Sequence, residues 1–315
     1  MKLPTCLWML GAGVFLSITS THAQRSENII DLNAEFNENG DLVVKADKKW
    51  IGTFSLAIDF VNATNLAVPP RYRTAIRSSG PVITLKNRRS YISTQCGLRC
   101  MFSLGDWRAR PDRSFVYRLP YSPSLGDVRV SYPPQAPPNT TAFRASLRGN
   151  PLVYRFMLNR GDSIYAVRKG LVVIVGDQNA QESKYGVIAN KGINYVVVEH
   201  QDGSYAVYYG FTRGTIGVQV GETVFPDTPL GCAGAIDSTH YAVDVRLCHL
   251  AGRIFEKGNT YTYEKAFEMI DLDPLFSTSE GEQKLNSGKS YQAVLTEELV
   301  SQEMTKREKK AREAK

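Results

Sequence analysis

Residues 239–247 read THYAVDVRL. Strict alternation marks a β-strand, with Tyr241, Val243, Val245 and Leu247 set to face a core and His240, Ala242, Asp244 and Arg246 set to face the other side. A histidine followed two places on by a second donor, both on one open strand face, can aim two side chains at a common point. Here the second place holds Ala242. What chemistry this face retains therefore depends on what the rest of the chain brings to it.

Working outward, the pattern is β nearly throughout. NYVVVEHQDGSYAVYYGF (194–211) holds two alternating runs joined at Asp202-Gly203, a strong hairpin signal that predicts a type I′ turn. SIYAVRKGLVVIVGD (163–177) and VQVGETVF (218–225) are further strands, and a short helix is predicted over Glu264–Ile270, ahead of DLDPLF (271–276). In the first part of the chain, DLVVKA (41–46), TFSLAIDFV (53–61), PVITLK (81–86) and SFVYRLPY (114–121) are short strands between Gly, Pro and Asn turns. Phe54, Leu56, Ile58 and Phe60 are predicted to share a face. The expected class is mainly β: an antiparallel β-sandwich over 25–130, a proline-rich linker over 131–143 (SYPPQAPPNTTAF), and an antiparallel β-domain over 144–276. From Tyr291 onward the apolar residues recur at helical spacing, and Glu303–Arg307 and Glu308–Arg312 are i,i+4 pairs. A single amphipathic, basic helix over 288–315 is predicted.

The chain has 315 residues, enough for two domains with buried cores, and 43% of them are hydrophobic. Lys2 precedes an apolar run from Leu7 to Ile18, with a cleavage site after Ala23, so residues 1–23 read as a signal peptide too short to span a bilayer. The expected localisation is secreted, periplasmic or extracellular, with no transmembrane span. Net charge is +7, but the last eleven residues, TKREKKAREAK, carry six basic and two acidic side chains. A basic tail on a nearly neutral body does not make a nucleic-acid surface, and no nucleic-acid partner is expected. Beyond Cys6, in the leader, four cysteines remain in an oxidising compartment, and Cys96–Cys100 with Cys232–Cys248 is the simplest of three pairings, against free buried thiols.

GDSIYAVRKGLVVIV (161–175), NYVVVEHQDGSYAVYYGF, VQVGETVFPDTPLG (218–231) and THYAVDV (239–245), in that order and spacing, resemble the lysostaphin and LytM-type zinc endopeptidases, which cut peptidoglycan cross-links. DLDPLF resembles the phrase that closes that domain, and the region around YRLPY (117–121) resembles the N-terminal part of some secreted members. The resemblance implies one zinc held by a His and an Asp upstream and by the second His of a His-x-His strand, with two further histidines acting on water and transition state. A catalytic zinc takes about three protein ligands and keeps an open position. Carried over by position, the zinc-binding Asp falls at Arg155, the hairpin His at Gly210 and the zinc-binding His at Ala242. No histidine lies between His22 and His200, so the first ligand has no counterpart, and only His240 matches, as the first His of the strand pair.

The resemblance thus implies a degenerate member without zinc, with no catalytic residue but the remnant His240. Strand parity assigns Arg155, Tyr208, Gly210, His240, Ala242, Asp244 and Arg246 to the lining of the former cleft. The expected function is a catalytically inactive, envelope-associated peptidase-like protein that binds peptidoglycan peptide or regulates an envelope protein, with no cofactor. One alternative is an active metalloendopeptidase with a rewired zinc site, for instance one drawing on His200, His240, His249 and Asp244. Another is an assembly module whose C-terminal helix pairs with a partner.

Overall fold

The computed structural model of the protein describes residues 16–20, 29–133, 151–177, 193–253 and 266–314. They form two compact units. The first comprises the described residues within 1–50, 54–103 and 254–266, and the second those within 51–53, 104–253 and 267–315. The division does not fall in the proline segment expected as a linker. Residues 104–130 belong to the second unit because Tyr117, Leu119, Tyr121, Val128 and Val130 are part of its core. Of the expected linker, 134–143 lie outside the described residues.

The first unit holds two sheets. One orders β2 (Ile30–Phe36), β3 (Leu42–Lys48) and β6 (Gly80–Leu85), with the alternating Ile30, Leu32 and Ala34 buried. The other orders β1 (Leu16–Ser20), β7 (Gln95–Leu104), β4 (Phe54–Thr64) and β5 (Tyr72–Ile76). Residues Phe54–Ile58 are buried on both faces, so the one-sided pattern expected for this strand gives way to a central strand covered twice. β1 lies inside the expected signal peptide and pairs in parallel with β7, Ile18 opposite Leu98. Among the described residues no helix is long and apolar enough to cross a membrane.

The second unit is built on a sheet ordered β15 (Thr223–Val224), β12 (Gly170–Gly176), β13 (Asn194–Glu199), β14 (Ser204–Phe211), β18 (Tyr241–Gly252), β10 (Val153–Leu158), β9 (Asp127–Ser131) and β22 (Ser290–Gln292). β17 (Gly234–Ala235) and β19 (Phe267–Asp271) also pair with β18. Smaller pairs are β11 (Ser163–Tyr165) with β16 (Pro229–Cys232), and β20 (Leu275–Thr278) between β8 (Val116–Arg118) and β21 (Gly281–Gln283). The twelve-residue β18 is the spine. Val243, Val245 and Leu247 enter the main core with Tyr154, Phe156, Ala206 and Tyr208. Burying each Val or Leu contributes about 1.5–3 kcal/mol, which makes the parity of this strand decisive for the fold.

Three local expectations change. The hairpin closes through a Gly203 N–H to His200 carbonyl bond of 3.0 Å, with Gly203 alone at positive φ (+81°). It is therefore a longer loop with a glycine bulge, not a type I′ turn, and the Asp202 carboxylate fixes it by accepting from the Ser204 N–H at 3.0 Å and hydroxyl at 2.7 Å. The stretch 267–270, expected as the end of a helix, is strand β19, because β18 offers it a partner edge; 264 and 265 lie outside the described residues. The expected long C-terminal helix is instead β22 followed by α1 (Glu297–Ser301) and α2 (Lys306–Glu313). The break is written locally: Thr296 caps α1, and Thr305 with Glu308 forms a capping box that starts a new helix.

Candidate functional site

The face of β18 opposite the core carries Ala242, Asp244, Arg246 and Cys248, as alternation requires. β10 sets Met157 beside Ala242, Arg155 beside Asp244 and Val153 beside Arg246. β14 places Tyr209 beside Asp244 and Val207 beside Arg246. This face is not an open cleft: Ala242 is 1%, Asp244 7%, Arg246 2% and Arg155 9% exposed.

Charge on this face is held in pairs. Arg155 donates from Nε to Asp244 Oδ1 and from Nη2 to Oδ2, both at 2.7 Å. Two parallel charge-assisted bonds fix both groups in one plane. Burial pushes the Asp244 carboxyl above its usual range, while the Arg155 guanidinium pulls it the other way. Arg246 donates from Nε to Asp271 Oδ1 at 2.6 Å.

The remaining expected lining residues do not join them. Tyr208 lies on the other face, fully buried, where its hydroxyl oxygen accepts from the Val167 N–H at 2.8 Å. The bulge between Asn194 and Tyr195 is the physical reason. It leaves Gly210 unpaired at φ +90° and shifts parity along β14, so Tyr209 is the tyrosine beside Asp244. Gly210 is needed there, since a Cβ would stand 3.2 Å from the Ala242 carbonyl oxygen. His240 precedes β18 in an exposed turn. The Asp237 carboxylate accepts there from the backbone N–H groups of Thr239 at 2.8 Å and His240 at 2.9 Å, and also holds the His240 ring at Nδ1. These bonds keep the Asp237 carboxyl well below its usual range, the Thr239 N–H foremost.

These residues do not fit a zinc ion. The expected zinc-binding places at Arg155 and Ala242 hold a guanidinium and a methyl group, the hairpin place holds a bulged glycine, and the matching imidazole of His240 is turned to solvent. A site joining His240 with His249 fails on distance, because nine residues of extended chain, from just before β18 to near its end, set them ~30 Å apart at ~3.3 Å per residue. His200 is buried, with Nδ1 2.8 Å from the Lys169 carbonyl, and burial lowers its pKa to about 3. Among the described residues no group of three or more His, Cys, Asp and Glu side chains could hold a metal.

The expected disulfides are absent: Cys96, Cys100, Cys232 and Cys248 are all free thiols. Cys96 and Cys100 lie on the one strand β7, where four residues of extended chain separate them by ~13 Å, beyond disulfide reach.

No protein family matches the sequence, and no curated protein matches it. Among solved structures, the chain aligns with a zinc-containing peptidase from Vibrio cholerae at 11% identity and a TM-score of 0.29, covering 76% of this chain and 84% of that one. It aligns with Csd3 of Helicobacter pylori at 11% identity and a TM-score of 0.30, covering 82% of this chain and 72% of that one. At these scores the assignment of function rests on the residues themselves.

Proposed function

We propose that this chain is a catalytically inactive, peptidase-like protein of the cell envelope that acts by binding, either to peptidoglycan peptide or to an envelope protein it regulates. The reading joins the sequence resemblance and the expected leader to one observation. At the face where the resemblance places a metal, Arg155 and Asp244 satisfy each other through two bonds, beside Ala242. A fixed guanidinium supplies positive charge to Asp244 but neither an open coordination position nor a bound water of lowered pKa, which hydrolysis by this family's chemistry needs.

The test has two arms. Protein purified without chelator is assayed for zinc, and purified sacculi incubated with it are analysed for new muropeptides and for co-sedimentation. The reading expects substoichiometric zinc and unchanged muropeptides. Stoichiometric zinc together with new muropeptides that vanish in His240→Ala would replace it with the rewired-enzyme reading.

A further inference from the structure

Arg168 ends the turn before β12, and its side chain is 4% exposed. Its guanidinium is held by the body of the second unit: Nη1 donates to Asp202 Oδ2 at 2.7 Å and to the Tyr117 hydroxyl at 3.2 Å, and its Cζ lies 3.7 Å from the Phe115 ring centroid. The remaining edge, Nε and Nη2, donates to the two carboxylate oxygens of Glu303 at 2.8 and 2.7 Å. Next to it, Lys169 Nζ donates to Glu308 Oε2 at 2.7 Å and to the Glu303 carbonyl at 2.9 Å. Phe115, Val116, Val167 and Pro226 line an adjoining pocket with Leu299 and the buried Val300.

The segment carrying Val300, Glu303 and Glu308 is attached in the manner of a ligand. None of these three residues is in the main core, which is complete through Tyr291 and Ala293. α1 and α2, of five and eight residues, are too short to persist unaided. The clamp, by contrast, is held by the body: Asp202, Tyr117 and Phe115 contact Arg168 on the side away from Glu303. A guanidinium edge held from its other side, with an adjacent ammonium, is a receptor for two carboxylates, and a segment tied to the body by these bonds, by Val300 and by Arg312 to Asp227, but lying outside the main core, opens before the core does.

We propose that Arg168 and Lys169 form a docking site for an acidic peptide segment of a partner protein, one with an apolar residue followed three and eight positions on by carboxylates, and that the chain's own C-terminal segment occupies this site in cis. A partner must then compete with a tethered occupant at high effective concentration, so the contact acts as a gate.

The probe is a fluorescent peptide of residues 296–314, titrated against the full-length chain and read by anisotropy. Val300→Ser/Glu303→Gln/Glu308→Gln, which frees the site, is expected to bind the probe at least tenfold more tightly than the wild type. Adding Arg168→Gln should abolish that binding, and raised salt should weaken it. A freed variant that is folded by circular dichroism and binds no better than the wild type overturns the proposal. Should the triple variant fail to fold, Glu303→Gln alone decides: tighter probe binding than wild type supports the site, and unchanged binding overturns it. Zinc content and muropeptides play no part in this readout, so its outcome is separable from that of the function proposed above.

Discussion

Arg155 and Asp244 stand opposite each other on neighbouring antiparallel strands, and the guanidinium meets the carboxylate through two bonds of 2.7 Å. Both side chains are nearly excluded from water, at 11% and 10% exposed. Each therefore depends on the other for the interactions that water would otherwise supply.

Removing one partner leaves a buried charge without its facing counter-charge. Arg155→Ala or Asp244→Ala is expected to destabilise the fold by about 3–5 kcal/mol, whereas Arg155→Met with Asp244→Leu should lie near wild type. Urea unfolding of the three variants measures this. A single variant costing under about 1 kcal/mol would show that the pair is not structurally required.

Gly210 tests whether the place of the expected hairpin histidine can accept a side chain. Its φ of +90° and the 3.2 Å approach to the Ala242 carbonyl oxygen oppose any side chain. Gly210→His is expected to cost about 1–3 kcal/mol and lower the melting temperature. Unchanged melting would mean that the bulge adapts to a side chain.

His200 makes stability depend on pH. Its folded-state pKa is lowered to about 3 by burial first and by the nearby Arg168 charge second. An unfolded histidine titrates near ~6.5, so below that pH the unfolded chain binds a proton that the folded chain refuses. Stability is therefore full above about pH 6.5 and falls with acidity by up to ~1.4 kcal/mol per unit, until the folded pKa is reached. Between about pH 7 and pH 5, His200→Gln should lose about 2 kcal/mol less than the wild type in urea unfolding. Equal losses would assign the acid sensitivity to another group.

The thiols give a direct count. Burial pushes Cys96 and Cys100 up to about 11 and Cys248 up to about 12, so at pH near 8 these should resist a thiol reagent in the native state. In denaturant without reductant all four should react. A missing pair of thiols would restore the disulfide expectation.

The alternation of 241–247 gave the spine strand and its core face without any structure, because a one-residue slip would have turned Val243, Val245 and Leu247 to the wrong side. The residues at the places the resemblance singles out, Arg155, Gly210 and Ala242, were also legible, since naming them needs only the sequence. Tyr208 was misplaced because parity counting assumes an unbroken strand, and the bulge at Gly210 breaks it. The single C-terminal helix expected over 288–315 gives way to a strand and two helices because its charges find partners outside it. Glu303 and Glu308 have arginines four places on, yet in the fold they bond Arg168 and Lys169 instead.

What the sequence determined, then, is what period and residue type fix locally: the β class, the spine strand and which residues stand at the places the resemblance singles out. Only the tertiary structure decided which charges meet. Arg155 reaches Asp244 across 89 positions and Arg168 reaches Glu303 across 135. Bonds of that separation arise from strand order and packing, which no local pattern encodes.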